Sequence, residues 1–399
     1  MPPTSHQTLL HEYTTTQTPN LPPAGDSIPT AREDGILRFA FQNIHGATLH
    51  SGIQVAPEID TLLDWDITIM GMSETNRPWT PQQKSVYDYM MDSCFSSSRT
   101  IYTSAAPPDH TFKHLQGGNL LTINGHTTGR ICERGSDSLG RFCWVTLRGR
   151  RDEGVLVITA YRVCHELYHN PGAFTAYQQQ FTGLLTAGHS NPNPRRQILT
   201  DLLQLMRTYR AKGFRPILMM DANGDYRGDD KHFASFLNDA GLDDPFFDKF
   251  QISPPTYIRG SRRIDFIFID PALASSLVRI GHLGTHDGVM SDHAMILADF
   301  DERQLFAGVL NRPPPRHSRE ILIEQTDKIQ AFLLTFIPRI KASNLHQRVF
   351  DLVPDFLDNG STEANITRFH DCYTLFWPSL EMPHQKSDER NLATCGPPP

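Results

Sequence analysis

Eight residues able to move protons, hold a cation or grip an anion fall at or near the ends of apolar runs: Asn43, Glu74, Tyr161, Asp221, Asn223, Asp265, Asp292 and His293. Carboxylates and imidazoles serve as general acids and bases, carboxylates also bind hard divalent cations, and amides and phenols donate to oxyanions. Glu74 closes the run Asp66-Ile67-Thr68-Ile69-Met70-Gly71-Met72-Ser73. A lone carboxylate there calls for a cation to offset its burial. Asp265 sits in Arg262-Arg263-Ile264-Asp265-Phe266-Ile267-Phe268, where an unpaired charge is costly, and His293 opens the last apolar run. Pairing the two would hold the imidazole by one nitrogen and raise its pKa. Plainer readings exist for each residue. A carboxylate at a strand end is often a turn or cap, Asp221-Ala222-Asn223-Gly224 is ordinary turn chemistry, and Asp265 could simply neutralise Arg262 or Arg263.

The elements that must position these groups follow from the apolar pattern. Alternation and β-branched or aromatic content predict strands at 36–43, 66–74, 118–124, 142–147, 154–163, 216–221, 264–270 and 294–300. Helices are expected at 57–65, with Ile59, Leu62 and Leu63 facing inward, along the stripe from Ile198 to Tyr209, and at 231–240. Strands outnumber helices and several end on polar residues, which suggests an α/β sandwich with polar groups converging at one sheet edge. Residues 1–34, rich in Pro, Thr, Ser and Gln, read as a disordered arm, and 35–302 as the folded domain. The Pro-rich stretch 303–317 reads as a linker, 318–382 as a helical extension that Pro338 should kink, and 383–399 as a disordered tail.

The formal charge of −7, with 20% charged and 39% hydrophobic residues, excludes a disordered or collagenous chain. No apolar run approaches the ~18 residues of a membrane span, and the polar opening does not read as a secretory signal. Six scattered cysteines without a C-x-x-C pair point to reduced thiols in an intracellular protein, nuclear or cytoplasmic. The acidic balance argues against a globally basic nucleic-acid binder but leaves room for a local basic face. Arg130, Arg141, Arg148, Arg150 and Arg151, with Arg259, Arg262 and Arg263, would be either solvated or a phosphate-tracking surface.

Six short segments carry a family resemblance: QNIHG (42–46), SET (73–75), ITAYR (158–162), MMDANGD (219–225), RRIDFIF (262–268) and SDHAMI (291–296). In this order they resemble the endonuclease/exonuclease/phosphatase superfamily, which includes abasic-site endonucleases and deoxyribonuclease I. The resemblance covers residues 36–300. It implies a four-layer sandwich of two mixed β-sheets flanked by helices, and metal-dependent hydrolysis of phosphodiesters. It further implies Mg²⁺, with Mn²⁺ as a substitute, at Glu74 with Asn43 and Asp292. His293 would act at the scissile phosphate, held by Asp265, while Asp221 orients or deprotonates the attacking water and Asn223 and Tyr161 donate to phosphate oxygens. Tyr257, Arg259 and Arg262 would contact substrate, the expected partner being DNA through its phosphate backbone, with no membrane and no obligate protein partner. Two positions depart from the pattern: His45, where Asp or Asn is usual, and Cys164, where Asn is common. The segments 117–130 and 158–164 look most like endonuclease domains of non-LTR retrotransposons, so the chain reads as a truncated retroelement product or a host-adopted nuclease. A phosphoinositide- or sphingomyelin-cleaving enzyme of the same family, or a catalytically impaired nucleic-acid-binding remnant, are the alternatives.

Overall fold

Strand β2 (Ile36–Asn43) shows how the sequence makes two layers at once. Leu37, Phe39 and Phe41 face one apolar cluster and Ala40 faces another, and every residue of the strand is buried. A strand covered on both sides reads as a nearly continuous apolar run rather than a clean alternation. In a computed structural model of the chain, the described residues are 20–48, 56–104, 115–150, 153–164, 175–285 and 287–308, with scattered positions between 330 and 351.

Two mixed sheets form. The seven-stranded sheet runs β1 (Ala24–Gly25), β11 (Leu277–His282), β12 (Ile296–Asp301), β2, β3 (Ile69–Ser73), β5 (Asn119–Asn124), β4 (Ser98–Thr103). The five-stranded sheet runs β10 (Asp265–Ile269), β9 (Phe214–Asp221), β8 (Gly154–Tyr161), β7 (Phe142–Arg148), β6 (Ile131–Ser136). Each contains one parallel pair, β2 with β3 and β8 with β9, and the other neighbours are antiparallel. Parallel neighbours need a crossover, and helices supply both. Helix α1 (Pro57–Asp64) lies between β2 and β3. Helices α3 (Ala176–Thr186) and α4 (Pro194–Arg210) lie between β8 and β9.

The four layers follow from where apolar faces go. Leu37, Phe39, Ile69, Leu121, Val157, Ile217 and Ile267 fill the space between the sheets. Ile59 and Leu62 of α1, and Tyr87, Met90 and Met91 of α2 (Pro81–Cys94), cover the seven-stranded sheet. Ile198, Leu202 and Met206 of α4, with Phe233, Phe236 and Leu237 of α5 (Lys231–Ala240), cover the other. Side chains cap the helix starts: Thr80 and Gln83 form a capping box on α2, Asn193 caps α4 and Asp230 caps α5. Buried Arg38 on β2 makes a two-armed ion pair with Asp299 of β12, at 2.7 and 3.0 Å. The sheets approach closely at Gly71, where a Cβ would stand 2.4 Å from Thr159 Oγ1.

Several expectations need correction. The arm is not loose throughout 1–34: β1 pairs with β11, and the Leu21 N–H donates to Thr285 Oγ1 in a buried bond. The domain continues past 302 through a short helix, α7 (Glu302–Leu305), following α6 (Pro245–Phe250), and Leu305 and Phe306 are buried in the inter-sheet core. Leu63 is 45% exposed, while Ile59 and Leu62 of the same helix are fully buried. Arg130, Arg141 and Arg263 do not belong to a phosphate-tracking face. They are buried and paired with Glu302, with Asp137 and Asp201, and with Asp244. Arg148 and Arg150 are exposed, and Arg151 lies outside the described residues.

The chain divides into two units, Met1–His317 and Ser318–Pro399, and all the elements above belong to the first. In the second, the described positions are helical at 330, 333–334, 337–338, 341–342, 347–348 and 351, Pro338 among them. The rest of the expected extension, the linker beyond 308, residues 1–19 and the tail 383–399 lie outside the described residues. The four described cysteines are free, and no described helix is long and apolar enough to cross a membrane.

Candidate active site

Side chains facing the inter-sheet layer change character along every central strand. At one end they are Leu37, Ile69, Ile123, Val155, Ile217 and Ile269. At the other, on the same faces by the two-residue period, they are Asn43, Ser73, Asn119, Thr159 with Tyr161, Asp221 and Asp265. The polar groups therefore converge at one rim of the sandwich.

At its centre His293 Nδ1 lies 2.8 Å from Asp265 Oδ2. Asp265 is paired in register with Asp221 on the neighbouring strand, and one donor atom from each of the three residues falls within 4.8 Å of the others. Asp221 Oδ2 accepts from the Asn43 amide at 2.8 Å, and Oδ1 accepts from the Asn223 N–H at 2.9 Å. Burial, then the Asp265 charge, holds the Asp221 carboxyl well above the usual carboxylate range. Burial alone would lower the His293 pKa, but Asp265, Asp221 and Asp292 together raise it to about 10. The imidazole is therefore a cation at neutral pH. Its Nε2 has no partner among the described residues. The plainer reading of Asp265 fails, since Arg263 goes to Asp244 and Arg262 to Asp229.

Glu74 follows β3 directly, in left-handed backbone (φ 50°). The Tyr161 hydroxyl hydrogen-bonds to it, and His45 Nδ1 lies 3.5 Å from Oε2. Burial would raise the Glu74 pKa, yet these bonds and the His293 charge leave it lowered, so the carboxylate is ionised. Asp292 Oδ1 and Asp265 Oδ1 are buried with no hydrogen-bond partner. Ionised Glu74 and the orphaned carboxylate oxygens of Asp292 and Asp265 offer the all-oxygen donor chemistry that a hard cation such as Mg²⁺ takes, so the residues fit one. In the Asp221–Asp265–His293 trio, whose donor atoms also stand close enough to share a cation, His293 Nδ1 is spent on Asp265 and the Asp221 oxygens on Asn43 and Asn223, which suits it to handling protons. His45, at φ 48°, keeps its ring 71% exposed and turned toward Glu74. Asn223, also in left-handed backbone (φ 44°), donates its amide to the Arg162 carbonyl at 2.8 Å and accepts from Cys164 Sγ at 3.0 Å. Three non-glycine residues in this strained region at one rim mark a place where backbone conformation serves the site.

The chain is similar to an AP endonuclease. That structure, from Leishmania major, shares 12% identity and a TM-score of 0.48 over 75% of this chain and 99% of that one. The human Nocturnin catalytic domain is similar at 13% identity and TM-score 0.44, over 66% and 93% of the two chains. A 3'-5' exonuclease from Neisseria meningitidis is similar at 17% and 0.45, over 66% and 100%. No family model and no curated protein matches the chain.

The residues expected to contact substrate lie beside this centre. Tyr257 bridges His293 through the backbone, and its ring lies 5.0 Å from the imidazole. Tyr257, exposed Arg259 and Arg262 line a cleft of about 340 Å³ with Asn223 and Gly224. Arg262 is half-committed to surface Asp229 at 3.0 Å.

The sequence reading missed the residues that hold the rim together. Buried Gln42 accepts from the Val289 N–H and donates to the carbonyls of Val289 and His293, and Ser291 Oγ donates to the Asn43 carbonyl. These bonds clamp the 289–293 loop to β2. Thr256 Oγ1 accepts from the Asp265 N–H. A buried-strand glutamine directly before Asn43 was the one visible signal. The others are bland residues given meaning only by their partners.

Proposed function

We propose that this chain is a divalent-cation-dependent endonuclease that hydrolyses phosphodiester bonds in DNA. The observation that carries the reading is His293 held by Asp265 at 2.8 Å beside Asp221 at the polar rim. Six matching segments in order support the same chemistry.

Asp221 takes the proton from an attacking water. Its raised pKa lets it exchange that proton near neutrality, and Asn43 and the Asn223 N–H fix its orientation. His293 donates Nε2–H to a phosphate oxygen as negative charge builds there, and Asp265 fixes the ring. Glu74 and Asp292 would hold the cation, with the Asn43 oxygen in reach of the same rim, and Tyr161 orients the Glu74 carboxylate. When bound, Mg²⁺, or Mn²⁺ in its place, supplies positive charge to the phosphate oxygens. Asn223 lies between this centre and the cleft, where Tyr257, Arg259 and Arg262 meet the flanking strand. The likeness of 117–130 and 158–164 to retrotransposon endonucleases favours nicking of duplex DNA.

The test is a supercoiled-plasmid nicking assay with Mg²⁺, with Mn²⁺ and with chelator, run beside phosphoinositide and sphingomyelin hydrolysis. Metal-dependent conversion to open circles is expected. Lipid hydrolysis without nicking, or DNA binding with no cleavage under any metal, would overturn the reading.

A further inference from the structure

Beneath the turn that carries Asp221 and Asn223, two buried arginines share one carboxylate. Arg162 directly follows β8, Arg195 is the second residue of α4, and Asp230 caps α5. Arg162 and Arg195 are 2% and 3% exposed. Arg162 Nη1 donates to Asp230 Oδ2 at 2.7 Å and to the Ala222 carbonyl at 3.3 Å, while its Nε donates to the Arg195 carbonyl at 3.0 Å. Arg195 Nη2 donates to the Asn223 carbonyl at 3.0 Å and to Asp230 Oδ2 at 3.2 Å, and its Nη1 donates to the Val163 carbonyl. A Cβ on Gly224 would stand 2.7 Å from Asp230 Oδ2, 3.1 Å from Arg162 Nη1 and 3.3 Å from Arg195 Nη2. The turn rests directly on the cluster.

Two local rules are broken here together. A buried cation in the first turn of a helix opposes the macrodipole, and two buried cations against one anion leave a charge uncompensated in a low-dielectric setting. Burial and the neighbouring Arg162 lower the Arg195 pKa to about 10, which still leaves it charged at neutral pH. Burial would raise the Asp230 pKa, but the arginines hold it at about 2. Such conflicts persist where function needs them.

We propose that Arg162, Arg195 and Asp230 form a positioning cluster for the Asp221–Gly224 turn, drawing the Ala222 and Asn223 carbonyls away from the reaction centre and setting one uncompensated positive charge behind it. With those carbonyls withdrawn, the turn presents the Asn223 N–H and side chain and the Asp221 carboxyl to the rim. The fixed charge favours a transition state that carries more negative charge than the phosphodiester it forms from. The kinetic part of this inference rests on the phosphodiesterase reading above, and the geometric part does not.

The experiment compares wild-type protein with Arg195→Ala and Arg195→Lys. It measures kcat and KM for plasmid nicking, melting temperature, and hydrogen exchange of the peptide covering 219–228. For Arg195→Ala, kcat should fall about tenfold or more while KM stays within about twofold, because the charge matters most in the transition state. Millimolar guanidinium ion should restore part of the lost kcat without raising the melting temperature. Exchange at 222–225 should quicken while the α4 amides stay protected. Arg195→Lys keeps the charge but cannot bridge Val163 and Asn223 at once, so it should show the same pattern in smaller measure, and it decides the matter if the alanine variant does not fold. A change confined to KM, a loss that only tracks melting temperature, or unchanged exchange at 222–225 would overturn the proposal. If wild-type protein hydrolyses no phosphodiester, the functional reading falls and the exchange data alone decide whether the cluster positions the turn.

Discussion

At the scale of single residues, His293 and Asp265 act through one contact of 2.8 Å. Residues that act as a unit are grossly non-additive when removed. His293→Ala and Asp265→Asn should each lower kcat by about 10²–10³-fold, and the double variant should lose little more than either. Single and double variants assayed side by side check this. Multiplying losses would mean two independent roles. Glu74→Gln should leave the melting temperature near wild type yet abolish calorimetric binding of Mn²⁺. Undiminished binding would move the cation site elsewhere. The pairing of Asp265 with His293 was legible because an isolated carboxylate in an apolar strand demands a partner. The convergence of Asn43 on Asp221 was not, because a hydrogen bond between residues distant in the chain leaves no local mark. Nor did the arginine pattern reveal its sorting. Arg263 lies against Phe246 and Phe266 and is paired with Asp244, and those tertiary partners leave no mark in the sequence.

At the scale of elements, near-continuous apolar runs rich in β-branched and aromatic residues recovered strands covered on both faces, such as β2, β8 and β9, to within a few residues. It missed β4 (Ser98–Thr103), β6 (Ile131–Ser136) and β11 (Leu277–His282), whose half-exposed residues lack an apolar run. Close approach of the two sheets at Gly71 gives a sharp test. Gly71→Ala should cost about 1–3 kcal/mol in urea unfolding, as overpacking does, and a second change, Thr159→Ala, should recover most of it. Absence of recovery would place the strain elsewhere. Glu302 offers a second test, since it receives His126 at 3.1 Å and Arg130 at 3.0 Å and ties the turn before β6 to the end of the domain. Its hydrogen bond with His126, then that from Arg130, lower its pKa to about 2 in the folded protein, below its ordinary value of 4.5. A depressed carboxylate contributes stability above its unfolded pKa and loses it as pH falls through the folded value. Wild-type stability should therefore drop between about pH 4.5 and 2 more steeply than that of Glu302→Gln. Parallel curves would count against the clamp.

At the scale of the whole molecule, the polar rim exists because strands from both sheets end in register on one side. β2, β3 and β5 supply one wall, and β8, β9 and β10 the other. That convergence was legible in outline from strands ending on polar residues. The outer limits were not, since a two-residue strand such as β1 and a buried pair such as Leu305 and Phe306 carry no periodicity. Arg38→Ala, which would strand Asp299 between β2 and β12, should cost about 3–5 kcal/mol, because it leaves a buried charge alone. A cost under about 1 kcal/mol would show that water reaches the carboxylate.

The position of β12 has a bearing on when the polar rim is completed during the chain's own synthesis. β2 is made near the start of the domain, yet one of its two neighbours is β12, which leaves the ribosome last of the described strands. His293 stands just ahead of that strand. Until it emerges, one edge of β2 has no partner, and Asp221 and Asp265 have no imidazole between them and the solvent. Pairings of such long sequence separation form slowly. On the proposed function, a chain stalled at residue 290 should therefore bind metal weakly and cut nothing. The polar rim is completed late, only once the segment carrying His293 and β12 has left the exit tunnel.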